Sequence, residues 1–239
     1  MAIKVGLLGY GKMGKAIDQI AQEHGIEICW RIGSGQLHER TPQRLQEAEV
    51  IIEFSTPEAG FENVRLCLEA GVPVVSGTTG WQANLENAHA LCVEKNGAML
   101  WASNFSIGVN LFFALNEYLA RLMQARPEYQ AKLTEIHHIH KLDAPSGTAV
   151  SLAEGILKEN NRYENWALGT TAVVPTLPIE ALRVGEVPGT HLVQWNSSID
   201  EITIEHKAHS RMGFAVGAIT AAKWIVGKKG VFTMKDVLF

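Results

Sequence analysis

One segment near the middle of the chain concentrates the side chains that could carry acid–base chemistry. It runs Glu-Ile-His-His-Ile-His-Lys over residues 135–141 and continues through Pro145-Ser146-Gly147-Thr148. Histidine exchanges a proton near neutral pH, and lysine supplies a fixed positive charge or an acid. The backbone N–H groups of Gly147 and Thr148 lie where a helix is predicted to begin, so they can bind a carboxylate. Together these groups suit a small anionic substrate that is protonated as it is reduced.

The same residues allow other interpretations. The histidines resemble a metal cluster, but in an extended strand His138 and His140 face one side and His137 the other. No cysteine or carboxylate stands close enough in sequence to complete such a site clearly, so we expect no metal here. Ser146 suits a helix N-cap, Asp143 suits a turn, and the histidines could also be ordinary surface residues.

A glycine-rich loop lies close to the N-terminus. Gly9-Tyr10-Gly11-Lys12-Met13-Gly14 is a G-x-G-x-x-G motif that follows a predicted strand and opens a predicted helix. Gly9 permits the tight turn, Gly11 lets a pyrophosphate approach the backbone, and Gly14 lets helix and strand pack closely. The motif predicts dinucleotide binding at a helix N-terminus, and the alternative is a glycine-rich turn without a ligand.

The end of the second strand bears on the choice of nucleotide. A carboxylate that reads the ribose 2′-hydroxyl is expected there, but the chain runs Cys29-Trp30-Arg31-Ile32-Gly33-Ser34. Arg31 and Ser34 could face a 2′-phosphate, which favours NADP slightly. The alternative is that Arg31 is only a solvated charge at a strand end.

The elements that must position these residues follow two patterns. Strands predicted at 3–8, 27–32, 50–54, 72–75 and 98–102 alternate with helices at 12–23, 57–70 and 81–95, which indicates a parallel sheet covered on both faces. Beyond Phe105 the alternation is lost. A helix at 109–124, a strand at 132–137, a helix at 145–158 and a Pro-rich stretch precede antiparallel strands at 191–196 and 201–207. A helix at 211–226 and a short strand at 231–232 then return to the first domain.

Composition excludes several classes of protein. The 239 residues are 46% hydrophobic and 19% charged, which is typical of a folded domain and not of a disordered chain. The longest apolar runs fall short of the roughly 20 residues that span a bilayer. The net charge is −4 and no long basic run exists, so nucleic acid and anionic membranes are poor partners. Three cysteines without metal-ligand spacing, and no secretion signal, favour a reduced, cytoplasmic location.

The segment Glu135-Ile-His-His-x-x-Lys141-x-Asp-Ala-Pro-Ser-Gly-Thr-Ala149 resembles the signature of 4-hydroxy-tetrahydrodipicolinate reductases, enzymes of the diaminopimelate route to lysine. The resemblance covers the whole chain. Its further matches, in chain order, are the Gly9 loop, Phe54-Ser-x-Pro57, Gly77-Thr-Thr-Gly80, Asn104-Phe-Ser-x-Gly-x-Asn110, Ser210-Arg211 and Gly217-Ala218. Arg183-Val184-Gly185 departs from the expected Arg-Gly-Gly, so the role of that loop stays open.

The resemblance implies a role for each matching residue. His137 would be the acid/base and Lys141 the proton donor, His138 would contact the substrate, and Gly147 and Thr148 would bind one of its carboxylates. The residues expected along the cofactor are Arg31, from the end of the second strand, and, from the resemblance, Gly9, Gly11, Lys12, Met13, Gly14, Gly77, Thr78, Thr79, Ala102, Ser103, Asn104 and Phe105.

We therefore expect an α/β protein with a Rossmann-type parallel sheet formed by residues 1–108 and completed by 212–239. An inserted α+β domain with an open mixed or antiparallel sheet, residues 109–211, would bind the substrate and form a homotetramer around 191–207. There, alternating Leu192/Gln194 and Ile202/Ile204 give an apolar strand face to bury.

The predicted activity is reduction of a small cyclic dicarboxylate, 4-hydroxy-tetrahydrodipicolinate, to tetrahydrodipicolinate with NADPH or NADH. The alternatives are another two-domain nicotinamide dehydrogenase acting on an amino acid or a sugar, and a non-catalytic nucleotide sensor.

Overall fold

The computed structural model describes residues 2–171, 174–210 and 212–239. The chain forms two compact units: Met1–Ile107 with Met212–Phe239, and Gly108–Arg211. The sequence placed the divisions after residues 108 and 211, and Arg211 itself lies outside the described residues. The functions predicted for the two units, cofactor binding and substrate binding, stay predictions.

The strands of the described residues are, in chain order, β1 (Ile3–Leu8), β2 (Ile26–Ile32), β3 (Val50–Glu53), β4 (Val74–Ser76), β5 (Ala98–Trp101), β6 (Gln130–His137), β7 (Asn165–Leu168), β8 (Thr176–Arg183), β9 (Thr190–Asn196), β10 (Glu201–Lys207) and β11 (Gly230–Phe232). The α-helices are α1 (Lys12–Ile20), α2 (Pro42–Leu45), α3 (Pro57–Glu69), α4 (Leu85–Glu94), α5 (Ile107–Met123), α6 (Gly147–Glu159), α7 (Met212–Ile225) and α8 (Met234–Leu238).

The first unit is built on a six-stranded sheet in the order β11-β5-β4-β3-β1-β2, and every pairing in it is parallel. The predicted Rossmann-type sheet, completed by a strand from the C-terminal segment, is confirmed. β4 begins only after Pro73 and lies inside the sheet, so this proline marks a strand start and not an edge. α1 ends three residues before its predicted end, because the chain turns at Gly25, whose φ is +65°.

Both faces of the first sheet are buried, as a parallel sheet requires. All four residues of β3 are inaccessible to solvent, and so are the last four of β1. One apolar cluster includes residues of α1 and α7, and a second includes residues of α3 and α4. The sheet's carboxyl edge, with the loops that follow β1 to β5, therefore has a rigid base.

The second unit holds a five-stranded mixed sheet in the order β10-β9-β6-β8-β7. β6, β8 and β7 run parallel, whereas β9 pairs antiparallel with β6 and with β10. The predicted mixed sheet is confirmed. The expectation that this region lacks β-α-β connections is wrong, because β6 and β8 are parallel neighbours and α6 lies between them in sequence.

The Pro-rich stretch is the reason for that error. Pro178 lies within β8, opposite Ala167 of β7, although proline is depleted in strand interiors. Leu192/Gln194 and Ile202/Ile204 lie on opposite faces of the sheet, because Ile202 pairs with Trp195 and Ile204 with Val193. Burial of the Leu192 face in an assembly stays a prediction. Val193 and Trp195 are fully buried under the helices, whereas Leu192 and Gln194 point to the other face and are only half-buried.

Among the described residues, no helix is both long and apolar enough to cross a membrane. Cys29, Cys67 and Cys92 are free thiols. Burial raises the pKa of all three, so they are weak nucleophiles at neutral pH.

Candidate active site

The glycine-rich loop joins β1 to α1, and its glycines meet three different constraints. Gly9 has φ +91°, and a Cβ there would lie 1.9 Å from the carbonyl oxygen of Phe54. A Cβ on Gly14 would lie 2.3 Å from the carbonyl oxygen of Gly9. A Cβ on Gly11 would meet no described atom within 4 Å. Gly9 and Gly14 are therefore required by packing, whereas Gly11 leaves open space beside the backbone.

That open space lies at the N-terminus of α1, where Gly11 is the N-cap. Glycine has no side chain with which to cap the first-turn N–H groups, so these donors can bind an anion. Lys12 is exposed in the first turn, and Met13 packs partly against the apolar cluster beneath. The loop therefore fits the pyrophosphate of a dinucleotide.

Arg31 does not extend free from the end of β2. Its Nε donates to Asp18 Oδ2 at 2.6 Å and its Nη2 donates to Asp18 Oδ1 at 2.5 Å. Tyr10, from the glycine-rich loop, donates its hydroxyl proton to the same carboxylate. The guanidinium suggested to read a 2′-phosphate is thus paired with a carboxylate of α1.

A buried carboxylate organises the loops after β3 and β4. Glu53 is fully buried and accepts hydrogen bonds from the hydroxyls of Ser55, Ser76 and Thr78. Thr78 Oγ1 also accepts the Ser55 N–H at 2.8 Å. The Thr78 side chain therefore ties two loops together inside the protein, which is a structural task that the sequence did not reveal.

The remaining residues predicted along the cofactor occupy the same carboxyl edge of the sheet. A Cβ on Gly77 would lie 2.1 Å from the ring of Phe54, and that ring contacts buried Phe105 edge-to-face. Thr79 and Ser103 are exposed, whereas Ala102 and Asn104 are half-buried. The structure thus gathers Gly77–Thr79 and 102–105 at the end of the sheet where parallel α/β folds bind ligands.

The acid–base candidates belong to the second unit, at the end of β6. Strand register places His206 of β10, His191 of β9 and Glu135 of β6 in one row, with His137 and Arg183 opposite each other in a neighbouring row. Paired residues share a face of the sheet, so five ionisable side chains lie on one face. β6 ends at His137, so the strand geometry assumed for His138 and His140 does not apply.

Glu135 holds His137 from one side. Glu135 Oε2 lies 2.7 Å from His137 Nδ1, although the ring is not aligned for a linear hydrogen bond. The other oxygen, Oε1, accepts a hydrogen bond from Arg183 at 3.1 Å. Burial alone would raise the pKa of Glu135, but contacts with His137, Ser146 and Arg183 more than offset it and lower the pKa to about 2. Glu135 is therefore ionised at neutral pH and favours a proton on the facing Nδ1.

The other ring nitrogen of His137 faces a glycine. A Cβ on Gly189 would lie 3.0 Å from His137 Nε2, so a side chain at that position would crowd the nitrogen. His137 is 8% exposed. A histidine that is held at Nδ1 and open at Nε2 can exchange protons in a fixed direction.

Arg183 also fixes the loop that carries Lys141. Its Nε donates to the Lys141 carbonyl at 3.2 Å, and its Nη2 donates to the Asp143 carbonyl at 2.6 Å. The Lys141 ammonium in turn lies 2.8 Å from both carboxylate oxygens of Asp143. Arg183 therefore joins Glu135 to the lysine loop, which answers the question left open for residues 183–185.

His191 connects this row to the N-terminus of α6. Its Nε2 lies 3.1 Å from Ser146 Oγ, which caps α6 by accepting the Ala149 N–H. Burial, followed by the nearby charge of His137, lowers the pKa of His191 to about 4, so the ring is neutral at physiological pH. Gly147 is exposed and Thr148 is half-buried in the first turn of the helix. His138 is half-buried, and exposed His140 contacts Glu186 at 3.1 Å.

Among the residues that the structure describes, one group of side chains could hold a metal ion. Ligand-type atoms of Glu135, His137 and His191 lie within 4.8 Å of one another. The Arg183 guanidinium shares the carboxylate, however, and the 2.7 Å contact is shorter than the separation of two ligands around a tetrahedral ion. The arrangement therefore fits an ion-paired acid–base group better than a metal centre.

Sequence reasoning assigned no role to Glu135, Arg183 or His191. Glu135 stands in the signature, and its position two residues before His137 in a strand was the available signal. Arg183 lies 48 residues from Glu135, and His191 lies 45 residues from Ser146, so only the strand pairing brings them together.

Comparisons with known sequences agree over the full chain. Two family models match: "Dihydrodipicolinate reductase, N-terminus" over residues 3–105 and "Dihydrodipicolinate reductase, C-terminus" over residues 108–238. A 4-hydroxy-tetrahydrodipicolinate reductase from Christiangramia forsetii is 45% identical over 237 residues, or 99% of this chain and 98% of that protein. One from Acinetobacter baumannii is 33% identical over 266 residues, or 99% and 96%.

Solved structures share the fold. A dipicolinate-bound dihydrodipicolinate reductase from Paenisporosarcina sp. TG-14 is similar with a TM-score of 0.79 at 22% identity, covering 98% of both chains. A probable dehydrogenase from Thermotoga maritima is similar with a TM-score of 0.62 at 10% identity, covering 99% of this chain and 92% of that one. At these identities the likeness concerns the architecture alone.

Proposed function

Because the chain belongs to the dihydrodipicolinate reductase family, we propose that it reduces 4-hydroxy-tetrahydrodipicolinate to tetrahydrodipicolinate with NADPH or NADH. The substrate takes up one hydride and one proton and loses its 4-hydroxyl group as water. This is the reductase step of the diaminopimelate route to lysine. The substrate is a small cyclic dicarboxylate, and the protein works as an NAD(P)H-dependent oxidoreductase.

The first unit supplies the cofactor site. Gly9, Gly11 and Gly14 hold the pyrophosphate at the N-terminus of α1, with Lys12 and Met13 beside them. Gly77, Thr79 and the segment 102–105 lie along the ribose and nicotinamide, and Thr78 keeps their loop in place through Glu53. When bound, the nicotinamide supplies the hydride.

The second unit supplies the proton. Reduction leaves negative charge on an atom beside the reduced carbon, and a general acid must neutralise it. His137 carries out this transfer through Nε2, because Glu135 occupies the Nδ1 side and Gly189 leaves Nε2 uncrowded. Lys141 donates the proton or holds the developing charge, and Asp143 orients its ammonium group.

Binding of the dicarboxylate falls to the neighbouring groups. The N–H groups of Gly147 and Thr148 at the start of α6 bind one carboxylate, and His138 contacts the substrate. Ser146 caps the helix and His191 supports Ser146, so both keep the helix end in position without carrying charge themselves.

The observation that carries this proposal is the ionised, buried Glu135 between His137 and Arg183, with Arg183 also bonded to the loop of Lys141. Burial of a carboxylate costs free energy that its charged partners must offset, and here those partners are the acid–base histidine and the arginine bonded to the lysine loop. A nucleotide sensor has no use for a fixed proton donor, whereas a reductase does.

The assembly and the location extend the same proposal. The enzyme forms a homotetramer through the sheet of its second unit, and it works in the cytoplasm, where reduced nicotinamide cofactors and biosynthetic intermediates are available. No partner beyond other copies of the chain is required for the chemistry.

The test is a spectrophotometric assay of cofactor oxidation at 340 nm, coupled to a synthase that generates the unstable substrate in place. We expect oxidation that depends on the synthase. Turnover of amino acids or sugars without this substrate would favour the other dehydrogenase. Cofactor binding without any turnover would favour the sensor.

A further inference from the structure

The ion pair at the end of β2 bears on a question that the family leaves open, namely which of the two cofactors this chain prefers. Arg31 uses the Nε–Nη2 edge of its guanidinium, and both nitrogens are bonded to the Asp18 carboxylate. The Arg31 side chain is 40% exposed and that of Asp18 is 19% exposed. The pair is thus at the surface but well formed.

Arg31 lies at the position that contacts the adenosine ribose in dinucleotide-binding folds. Arg31 is the next-to-last residue of β2 and pairs with Leu7 of β1, two residues before the glycine-rich loop. In β-α-β dinucleotide folds, the group at the end of the second strand contacts the 2′ position of the adenosine ribose. Tyr10 of the loop bonds to Asp18 as well, so loop, helix and strand all meet at this carboxylate.

We propose that Asp18 is a specificity-determining residue that, by holding Arg31, makes NADH a better cofactor than NADPH for this chain. The inference rests on the proposed function only in taking the glycine-rich loop as a nicotinamide nucleotide site.

The charge and the geometry of this ion pair both favour a 2′-hydroxyl over a 2′-phosphate. A 2′-phosphate carries about two negative charges, and it is bound best by a guanidinium edge that offers two parallel N–H groups. Asp18 already occupies such an edge and neutralises the charge of Arg31. A phosphate bound at the remaining Nη1 side of Arg31 would lie next to the Asp18 carboxylate, which repels it and offsets the attraction of the guanidinium, whereas the neutral 2′-hydroxyl of NADH meets no such repulsion.

The charge state of Asp18 supports its role as the partner of Arg31. The hydrogen bond from Arg31, first among several effects, lowers the pKa of Asp18 below its ordinary value, so the carboxylate is ionised at neutral pH. Glu27, an exposed residue of β2, lies along the same groove as Asp18 and Arg31. It carries the same charge as Asp18 but takes no part in the bidentate pair.

The experiment measures the dissociation constants of NADH and NADPH directly, by titration calorimetry on the full chain, for four proteins. These are the wild type, Asp18→Asn, the double variant Asp18→Asn/Arg31→Ala, and Glu27→Gln as the control for an equal loss of charge nearby. Thermal unfolding confirms that each variant is folded. Because binding is measured, the result does not depend on turnover.

We expect the wild type to bind NADH more tightly than NADPH. Asp18→Asn frees Arg31 and should improve NADPH binding relative to NADH by about tenfold, which is about 1.4 kcal/mol. Removing Arg31 as well should abolish this gain, and Glu27→Gln should leave the ratio as in the wild type.

Tighter binding of NADPH by the wild type would overturn the inference, as would a ratio that Asp18→Asn leaves unchanged. Loss of turnover with the predicted binding ratio retained would count against the proposed reaction alone. Failure to bind either cofactor would contradict both.

Discussion

At the scale of single residues, the buried carboxylate of Glu135 decides how the acid–base histidine can act. It is fully buried and ionised, and its two oxygens face His137 and Arg183. A carboxylate that faces one ring nitrogen fixes the tautomer and leaves the other nitrogen to exchange protons with the substrate. Glu135 is therefore a positioning residue for His137.

Replacing Glu135 tests this role. We expect Glu135→Gln to lower kcat by about tenfold or more and to alter its pH profile, because the amide no longer favours a proton on His137 Nδ1. Glu180→Gln is the control, since it removes an ion-paired carboxylate from β8 that bonds to Lys132. A folded Glu135→Gln variant with wild-type kcat and pH profile would refute the positioning role.

His191 gives a separate prediction about stability. Its pKa falls from 6.5 to about 4 on folding, mainly because it is buried. The unfolded chain therefore binds a proton that the folded chain does not between these values, and folding stability decreases as pH falls from about 6.5 to about 4. Between pH 7.5 and pH 5 this one residue removes about 2 kcal/mol at most.

Urea unfolding at pH 7.5 and pH 5 measures this loss in the wild type and in His191→Gln, whose amide can still bond to Ser146. The variant should lose less stability than the wild type over this range. Burial also lowers the pKa of His206, but that residue is present in both proteins, so the difference isolates His191. Protonation of Glu135 lowers the folding stability only between about pH 4.5 and 2, which is outside the range from pH 7.5 to pH 5. Equal losses would show that His191 is not protonated on unfolding.

At the scale of elements, the glycines of the loop between β1 and α1 are of two kinds: two are required by packing, and one leaves space for a ligand. Gly9 and Gly14 cannot accept a side chain without a clash, whereas Gly11 has φ −85° and open space around its Cα. Alanine at position 11 is therefore compatible with the fold.

We expect Gly11→Ala to fold normally but to bind both NADH and NADPH about tenfold more weakly or worse, because its methyl group occupies the approach of the pyrophosphate. Gly169→Ala is the control, since a Cβ on Gly169 would likewise meet no described atom within 4 Å, and it should bind both cofactors as the wild type does. Unchanged affinity in Gly11→Ala would mean that the loop has only a structural role.

The elements also show what local patterns could and could not predict. Continuous apolar runs such as 50–52, and turns at glycines such as Gly71, predicted most of the first unit. β8 was missed because Pro178 predicts a loop. The strand nevertheless forms between β6 and β7, since strand pairing and the burial of Leu177 and Ile179 outweigh the loss of the one backbone N–H donor that proline lacks. Tertiary burial overrides local propensity there.

At the scale of the whole molecule, the sequence predicted the groups that are adjacent in the chain and missed those joined by the sheet. His137, Lys141 and Gly147 lie within one continuous signature. Arg183 and His191 come from later strands, and only their register with β6 and β10 brings them to this row. Arg31 was visible as a cation, but its partner Asp18 was not, because a helix–strand ion pair leaves no mark in local sequence.

The assembly of the molecule is a prediction of its own. α5 and α6 cover the face of the second sheet that carries Leu133 and Val193, and the opposite face carries Thr134 and Leu192. We expect this second face to join copies of the chain. Light scattering at micromolar concentration should give four times the 26.2 kDa mass of one chain, and a monomer mass would contradict the proposed tetramer.

The most direct test of the central claim is the kcat of His137→Gln and of Lys141→Ala in the synthase-coupled assay, with exposed His140→Gln as the control. We predict that each of the first two variants lowers kcat at least about tenfold, a loss of about 1.4 kcal/mol or more, with cofactor affinity unchanged. His138→Gln and Thr148→Val should raise KM more than they lower kcat, and EDTA should have no effect on the wild type. Wild-type kcat in the His137 and Lys141 variants, or activity that EDTA abolishes and zinc restores, would show that these residues are not the proton donors.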